Sequence, residues 1–548
     1  MSDAFKLPRL LVIGLDGATF DLLEPMAAQG WLPNLSRVLN ESARGVLRST
    51  VPPLTAPAWT SFQTGTRPGS HGVFSFQRRL DATMERQFVN STAIHGPRLW
   101  HWLARHGLTT GVVNLPMTWP PLPMPAGGYI VTGMETPDTS VPFTDPPELA
   151  DELRAMNYVC DLRVKLHERD FRSPAGVTAI ARDLLDVLRT REQAIFTLLA
   201  ERPTDALVVV FETPDRLQHW AWRAIEQLLH NDGSLERTAL HEAVRACYEE
   251  LDRVVGRLLD EAAGPETYIF FVSDHGFGPM RTRFHVDQWL AGQGWLTYAG
   301  GKATVRQRLR EPLRKFRGVL PRSLLRKGRR AFAVSRIIDW QRTQAYSGRT
   351  MEHAIYVNQR GREPEGIVAP EEVDALRRTI VEALLEVRDP ATGGAVVLEA
   401  WPREGLYRGA HVADAPDLLF SLAPGYEPTS ELSGQGIFSD ALAEGAGIHQ
   451  PAGIFMATGP SIRCGAALAD LYIEDVLPTM FYALGLPVST GLEGRIAVDV
   501  FDPAVLAARS VVHDAEPLHV DGTGDALAYS PDEADQIAKR LAALGYLS

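Results

Sequence analysis

The stretch Leu10-Leu11-Val12-Ile13-Gly14-Leu15-Asp16-Gly17 decides the fold. Six aliphatic or small residues run straight into an acid and a glycine. Such a run is far too short to span a membrane, and its continuous apolar character suits a strand buried on both faces, as in parallel sheets. Two later runs repeat the pattern. Ala206-Leu207-Val208-Val209-Val210-Phe211 leads through Glu212-Thr213-Pro214 to Asp215, with His219 four residues on. Tyr268-Ile269-Phe270-Phe271-Val272-Ser273 delivers Asp274, His275 and Gly276. Open parallel sheets bind ligands outside the carboxyl ends of their strands, where these acids and imidazoles stand. Three Asp and two His converging there suit a pair of divalent cations, and two-metal sites act on phosphoryl oxygens.

Outward from these runs, residues 8 to about 298 alternate apolar strands with longer amphipathic stretches, the pattern of βαβ units. Strands are expected at 9–15, 110–115, 205–212 and 267–273, and helices near 58–64, 97–106, 174–200 and 236–262. A β-rich piece opens at 354–358, strand-like runs return at 417–422 and 453–458, and 474–484 reads as a helix. The expected architecture is an α/β sandwich with a mostly parallel central sheet between helices, plus a cap insertion. Its discontinuous catalytic core would be 8–298 and 436–508, with the cap at 299–435 and a tail at 509–548. Within the tail, Ser530, Pro531 and Glu533 predict a capping box that opens a docking helix over 531–544. Gly545 would close it, and Leu541, Leu544 and Tyr546 would face the body.

Composition narrows the class. The 548 residues are 45% hydrophobic, enough for a large core and too apolar for a disordered chain. The three cysteines, Cys160, Cys247 and Cys464, are widely spaced with no CxxC, so they read as buried packing residues rather than ligands or disulfides. The N-terminus lacks a secretory pattern and no segment approaches a membrane span, which predicts a soluble, cytoplasmic protein. The net charge of −12 hides an island: Lys302 to Arg342 holds fourteen Lys/Arg against Glu311 and Asp339. Such a segment can draw anionic substrate towards a site, touch a polyanion or an acidic membrane, or form a solvated lid. It lacks the interleaved aromatics of a single-strand nucleic-acid platform.

Thr55 stands just before a helical run, with Pro57 in its first turn. Its plainest role there is an N-cap. A helix N-terminus also favours phosphate, and a hydroxyl beside a metal can attack phosphorus. Asp215 and His219, four apart, share one face of a helical turn and can ligate one ion; the alternative is a capping Asp and an unrelated surface His. Asp274 and His275 can converge at a strand-to-loop corner, with Gly276 permitting the turn. Asn114 reads as a turn residue, His285 as a structural or rim residue, and Trp119 as core.

Together these residues resemble the alkaline phosphatase superfamily, and within it the type I phosphodiesterase/nucleotide pyrophosphatase family. The resemblance rests on Gly14-Leu15-Asp16-Gly17, Thr55-Ala56-Pro57, the run Thr64 to Gly72, Pro214-Asp215-Arg216-Leu217-Gln218-His219, Ser273-Asp274-His275-Gly276 and Gly447-Ile448-His449. It covers about residues 8–300 and 440–500. It implies a metal-dependent phosphoric ester hydrolase of small phosphorylated substrates, nucleotides included. One divalent cation would be held by Asp215, His219 and His449, the other by Asp16, Asp274 and His275 with Thr55 on or near it. Mixed carboxylate and imidazole ligands favour zinc, with manganese as the substitute. Thr55 would attack in line and carry a phospho-threonine intermediate. A phosphomonoesterase or phosphate transferase of the same superfamily is the second reading, and a non-catalytic polyanion-binding protein the third. A sulfatase ranks below these, because neither Cys nor Ser occupies position 55 to supply a formylglycine nucleophile. Two features depart from the family pattern. Where an Asn usually follows the His-Gly pair and binds a phosphoryl oxygen, this chain has Val73-Phe74-Ser75-Phe76, so Ser75 or a residue from elsewhere would serve. Gln218 also replaces the usual Gly before His219.

Overall fold

A computed structural model describes residues 6–80, 83–162, 173–230, 233–299, 338–349, 351–433, 436–518, 520 and 529–543. The basic island therefore lies outside the described residues except for 338–342. The strands that matter to the site are β1 (Leu10–Leu15), β2 (Ala43–Arg48), β3 (Thr110–Leu115), β4 (Tyr129–Thr132), β5 (Thr144–Asp145), β6 (Ala206–Phe211), β7 (Tyr268–Val272), β8 (Gly276–Pro279), β9 (Gly447–Gln450), β10 (Ala452–Thr458) and β11 (Leu471–Tyr472). Nine of them form one sheet in the order β11–β2–β10–β7–β1–β6–β3–β4–β5, while β8 pairs with β9. The sheet is mostly parallel: β1 lies between β6 and β7, parallel to both, and β3 continues parallel to β6. β10 enters antiparallel between β7 and β2.

Alternation along these strands sorts side chains into two cores. Leu11, Ile13 and Leu15 of β1 join Leu207, Val209 and Phe211 of β6 on one face. Leu10, Val12, Val208 and Val210 pack on the other. The first face is covered by α2 (Pro174–Glu201), α3 (Thr213–Leu229) and α4 (Ala239–Glu261). The second is covered by α1 (Thr55–Thr64) and the helices Leu99–Arg105 and Val476–Ala483. Burying one such aliphatic side chain contributes about 1.5–3 kcal/mol. A one-residue slip of β1 would exchange its faces and set a large side chain where Gly14 now sits, so the register is fixed.

The expected strands match within one residue at each end. Helix boundaries move slightly: the one expected at 58–64 begins at Thr55, and the one at 236–262 begins at Ala239 behind the Thr238 N-cap. A four-stranded antiparallel sheet (Ala345–Ser347, Ala354–Val357, Leu418–Leu422, Val397–Pro402) builds a separate core. Phe284, Trp289 and Leu290 pack into that core rather than into the central sheet. The tail helix α5 (Pro531–Ala543) has its capping box: Ser530 N–H donates to Glu533 Oε2 at 2.7 Å and Glu533 N–H to Ser530 Oγ at 3.4 Å. Its Ile537 and Leu541 are buried against a cluster that includes Leu54 and Ala56, the neighbours of Thr55. Residues 544–546 lie outside the described residues. Cys160 and Cys247 are buried and free; Cys464, expected in the interior, is exposed. Among the described residues no helix is long and apolar enough to cross a membrane.

Candidate active site

Three adjacent strands deliver the acids. β1 ends one residue before Asp16, whose N–H still reaches the Phe211 carbonyl at 3.0 Å. The Asp16 carbonyl accepts the Asp215 N–H at 3.1 Å, tying the start of α3 to the end of β1. Gly17 turns the chain away with φ of +69° and donates its N–H to Asp274 Oδ1 at 3.2 Å. A side chain there would be strained by that φ, and its Cβ would meet the Phe277 ring at 3.0 Å. Gln218 Nε2 donates to the Gly17 carbonyl at 3.0 Å, a second tie between the turn and α3.

His275 and His449 meet through a short antiparallel ribbon. β8 pairs with β9, and Phe277 stands opposite His449. Gly276 was expected to permit a turn, but the structure gives another reason for it: a Cβ would lie 2.0 Å from the Ala452 carbonyl oxygen. The ribbon can run this close to β10 only with glycine at that position. Phe277 then packs edge-on against His219, with ring centroids 4.8 Å apart, and against His449 at 5.0 Å.

All six expected ligands are buried and fall into two triads, Asp215–His219–His449 and Asp16–Asp274–His275. In the first, Asp215 Oδ1 lies 3.3 Å from His219 Nε2 and 3.2 Å from His449 Nε2, and the two Nε2 atoms are 3.1 Å apart. Those are close to the roughly 3.3 Å edges of a tetrahedron with metal bonds of about 2.0 Å. His449 Nδ1 stands 2.9 Å from the Pro53 carbonyl and His275 Nδ1 3.1 Å from the Gly276 carbonyl. A carbonyl only accepts, so each Nδ1 carries the proton and each Nε2 keeps a lone pair for a cation. In the second triad Asp16 Oδ1 and Asp274 Oδ2 accept no hydrogen bond among the described residues, although both are buried. His275 Nε2 lies 3.7 Å from the former and 3.1 Å from the latter. Orphaned carboxylate oxygens beside an imidazole lone pair are groups that a divalent cation satisfies. The two triads adjoin, with the His275 and His449 rings stacked 3.5 Å apart.

Thr55 is the first residue of α1, not its N-cap; Leu54 holds that position and no side chain caps the helix. Its hydroxyl instead lies 3.3 Å from His275 Nε2. One turn on, the buried Trp59 donates its indole N–H to Asp16 Oδ2 at 3.0 Å. Trp59 reaches that depth because residue 14 is glycine: a Cβ there would sit 2.7 Å from Trp59 Cη2. The small residue inside the strand thus lets α1 settle onto the sheet.

Electrostatics follow from crowding charge in a dry site. Burial, then the neighbouring Asp274 and Asp215, push the Asp16 carboxyl well above its ordinary range. Burial opposes charge on His275, yet Asp274 and Asp215 raise it. Burial and the nearby His275 hold His449 well below the usual imidazole range. Asp215, despite its burial, is held well down by His219, His449 and Arg216.

The family model for type I phosphodiesterase / nucleotide pyrophosphatase matches residues 10–451. The chain belongs to that family. It is a phosphodiesterase/pyrophosphatase-type hydrolase of the alkaline phosphatase superfamily. Phosphonoacetate hydrolase from Sinorhizobium meliloti 1021, solved with phosphonoacetate, is similar in fold: TM-score 0.51 at 14% identity, over 88% of this chain and 96% of that one. Murine ectonucleotide pyrophosphatase/phosphodiesterase 5, solved as an inactive variant with AMP, gives TM-score 0.48 at 12% identity, over 90% of this chain and 100% of that one. No curated protein matches the sequence.

The departures from the phosphodiesterase family pattern now have structural partners. Ser75 Oγ donates to Glu352 Oε1 at 3.2 Å, so its hydroxyl is engaged away from the triads. Gln218 supplies the tie to Gly17 described above, which a glycine would not. His71, in the family-like run, is structural: its Nε2 meets Ser61 Oγ at 3.0 Å and burial pushes it down to about 3. Asn114 takes φ of +64° and His285 bonds the Glu431 carbonyl and Ser439, both outside the triads. Trp119 is buried and stacks on Tyr529 of the tail, 4.6 Å between centroids. Sequence reasoning missed Arg216, fully buried against Asp215 at 2.5 Å. The only available signal was its place beside a ligand on a buried helix face.

Proposed function

We propose that this hydrolase cleaves a phosphodiester or pyrophosphate bond of a small phosphorylated substrate, with Thr55 as nucleophile and two divalent cations in the two triads. The observation that supports this best is the Thr55 hydroxyl, buried at the first position of α1, 3.3 Å from His275 Nε2. Zinc fits the mixed imidazole and carboxylate donors, and manganese is the alternative. Bound there, divalent cations ease loss of the hydroxyl proton and neutralise charge on phosphoryl oxygens. Thr55 Oγ1 attacks phosphorus in line, the P–O bond to the leaving alcohol or phosphate breaks, and a phospho-threonine remains. Water then attacks the same phosphorus, releasing the second product and restoring the Thr55 hydroxyl. The N-terminal end of α1, with its positive dipole end, suits the phosphoryl oxygens. Asp16, fixed by Trp59, and Asp274, fixed by Gly17, hold their positions through the cycle.

The test is hydrolysis of bis(nitrophenyl) phosphate and of nitrophenyl phosphate by metal-quantified protein with added zinc or manganese. Faster diester cleavage that Thr55→Ala abolishes without loss of bound metal is expected. Faster monoester cleavage would overturn the diester assignment, and turnover surviving in Thr55→Ala would overturn the nucleophile.

A further inference from the structure

The surroundings of the two triads differ in charge. Behind the Asp215 triad lies a run of guanidinium groups, of which those of Arg216 and Arg191 are fully buried and that of Arg540 half-buried. Arg216 Nη1 meets Asp215 Oδ2 at 2.5 Å, and its Nη2 meets Asp161 Oδ2 at 3.2 Å. Arg191 pairs with Glu212 and donates to the Cys160 carbonyl at 3.0 Å. Arg540 of α5 donates to the carbonyls of Met134, Thr136 and Pro137 at 2.6–2.7 Å. Burial pushes the Asp161 carboxyl up, but Arg216 and then Arg540 hold it down. Asp215 and Asp161 thus share the Arg216 guanidinium, and Glu212 has that of Arg191.

The Asp16 triad has no guanidinium in direct contact, and Arg216 acts on Asp16 only from a distance. Asp16 and Asp274 are steadied by neutral donors, the Trp59 indole and the Gly17 amide. Among the described residues neither forms an ion pair with Lys or Arg. Each leaves one buried oxygen without a hydrogen bond.

We propose that the two cation positions are unequal: Asp16–Asp274–His275 takes a hard divalent cation first, while Asp215–His219–His449, neutralised by Arg216, takes the second more weakly. This rests on reading the triads as metal sites and is independent of which ester is cleaved. Oxygen-rich ligation favours manganese at the first position. An uncompensated carboxylate a few ångströms from a divalent cation shifts its affinity by at least about tenfold, even in a medium of high effective dielectric.

Chelator-stripped full-length protein titrated with Mn²⁺ by calorimetry, with bound metal counted by mass spectrometry, tests this. Two binding steps at least about tenfold apart are expected. Asp274→Asn should remove the tight step and His449→Ala the weak one. Arg216→Gln combined with Asp161→Asn takes the guanidinium from Asp215 without stranding Asp161, and should narrow the gap about tenfold. If that double variant fails to fold, the two ligand variants still decide. Equal steps, loss of the tight step in His449→Ala, or an unchanged gap in a folded double variant would overturn the proposal. A protein that binds Mn²⁺ in these two steps yet cleaves no ester would sink the proposed function and leave this inference standing. One that cleaves the diester with two equal sites would do the reverse.

Discussion

Gly14→Ala perturbs the joint between the sheet and α1 at a single atom. The new Cβ would stand 2.7 Å from Trp59 Cη2 and 2.9 Å from Val210 Cγ2. Ordinary carbon contacts are about 3.5–4.0 Å, so one neighbour must retreat by about 1 Å. Val210 is held in the sheet ladder, which leaves Trp59. Its retreat lengthens the 3.0 Å bond from the indole to Asp16. Overpacking of this kind costs about 1–3 kcal/mol, and a lost hydrogen bond to a carboxylate about 1.5–3 kcal/mol. Urea unfolding of chelator-treated protein should show a penalty of about 2.5–6 kcal/mol on those figures. Trp59→Phe supplies the control, because phenylalanine lacks both the colliding carbon and the N–H. Alone it should cost about 1.5–3 kcal/mol through the lost bond. Combined with Gly14→Ala it should cost less than the sum by at least about 1 kcal/mol, since the clash is gone. Strict additivity, or a neutral Gly14→Ala, would refute the idea that Gly14 exists to admit Trp59.

Other expectations follow from the same geometry. Burial pushes Glu135 from 4.5 up to about 7. A carboxyl raised in the fold costs nothing below its unfolded value and destabilises as pH rises through the folded one. Stability should therefore fall between about pH 5 and 8, by up to about 3 kcal/mol from this group, and Glu135→Gln should flatten that fall in paired urea titrations; an identical slope would count against it. Arg540→Ala removes three hydrogen bonds that dock α5 and should raise hydrogen exchange across 531–543 while leaving β1 protected. Leu541→Ala should loosen the same helix by about 2–5 kcal/mol, read by the same exchange experiment, and no change in either variant would mean that α5 is held elsewhere.

Much of the candidate site was legible because its residues sit where the sheet leaves no choice. Continuous apolar runs announced β1, β6 and β7, and the next polar residue in each belongs to one of the two triads or lies within a few residues of one. The rest was hidden for physical reasons. β2, Ala-Arg-Gly-Val-Leu-Arg, has no apolar run and becomes a strand through pairing with β10 on one side and β11 on the other. The approach of His449 depends on the β8–β9 ribbon, whose spacing rests on a carbonyl 2.0 Å from where Gly276 would carry a Cβ. Thr55 has the composition of a cap but stands one residue inside the helix, a difference set by the dihedrals of Leu54. Arg216 announces nothing in sequence beyond its place next to Asp215, because an arginine on a helix is ordinarily solvated, and only the tertiary fold buries it there.

The central claim is that Thr55 takes the phosphoryl group. The most direct measurement is rapid acid quenching of the metal-loaded enzyme during turnover of bis(nitrophenyl) phosphate, followed by peptide mass spectrometry. Phosphate on Thr55 in the active enzyme, and none in Thr55→Ala, is the expected result. Turnover with no phosphate on Thr55 at any quench time, or with phosphate on another residue, would contradict it.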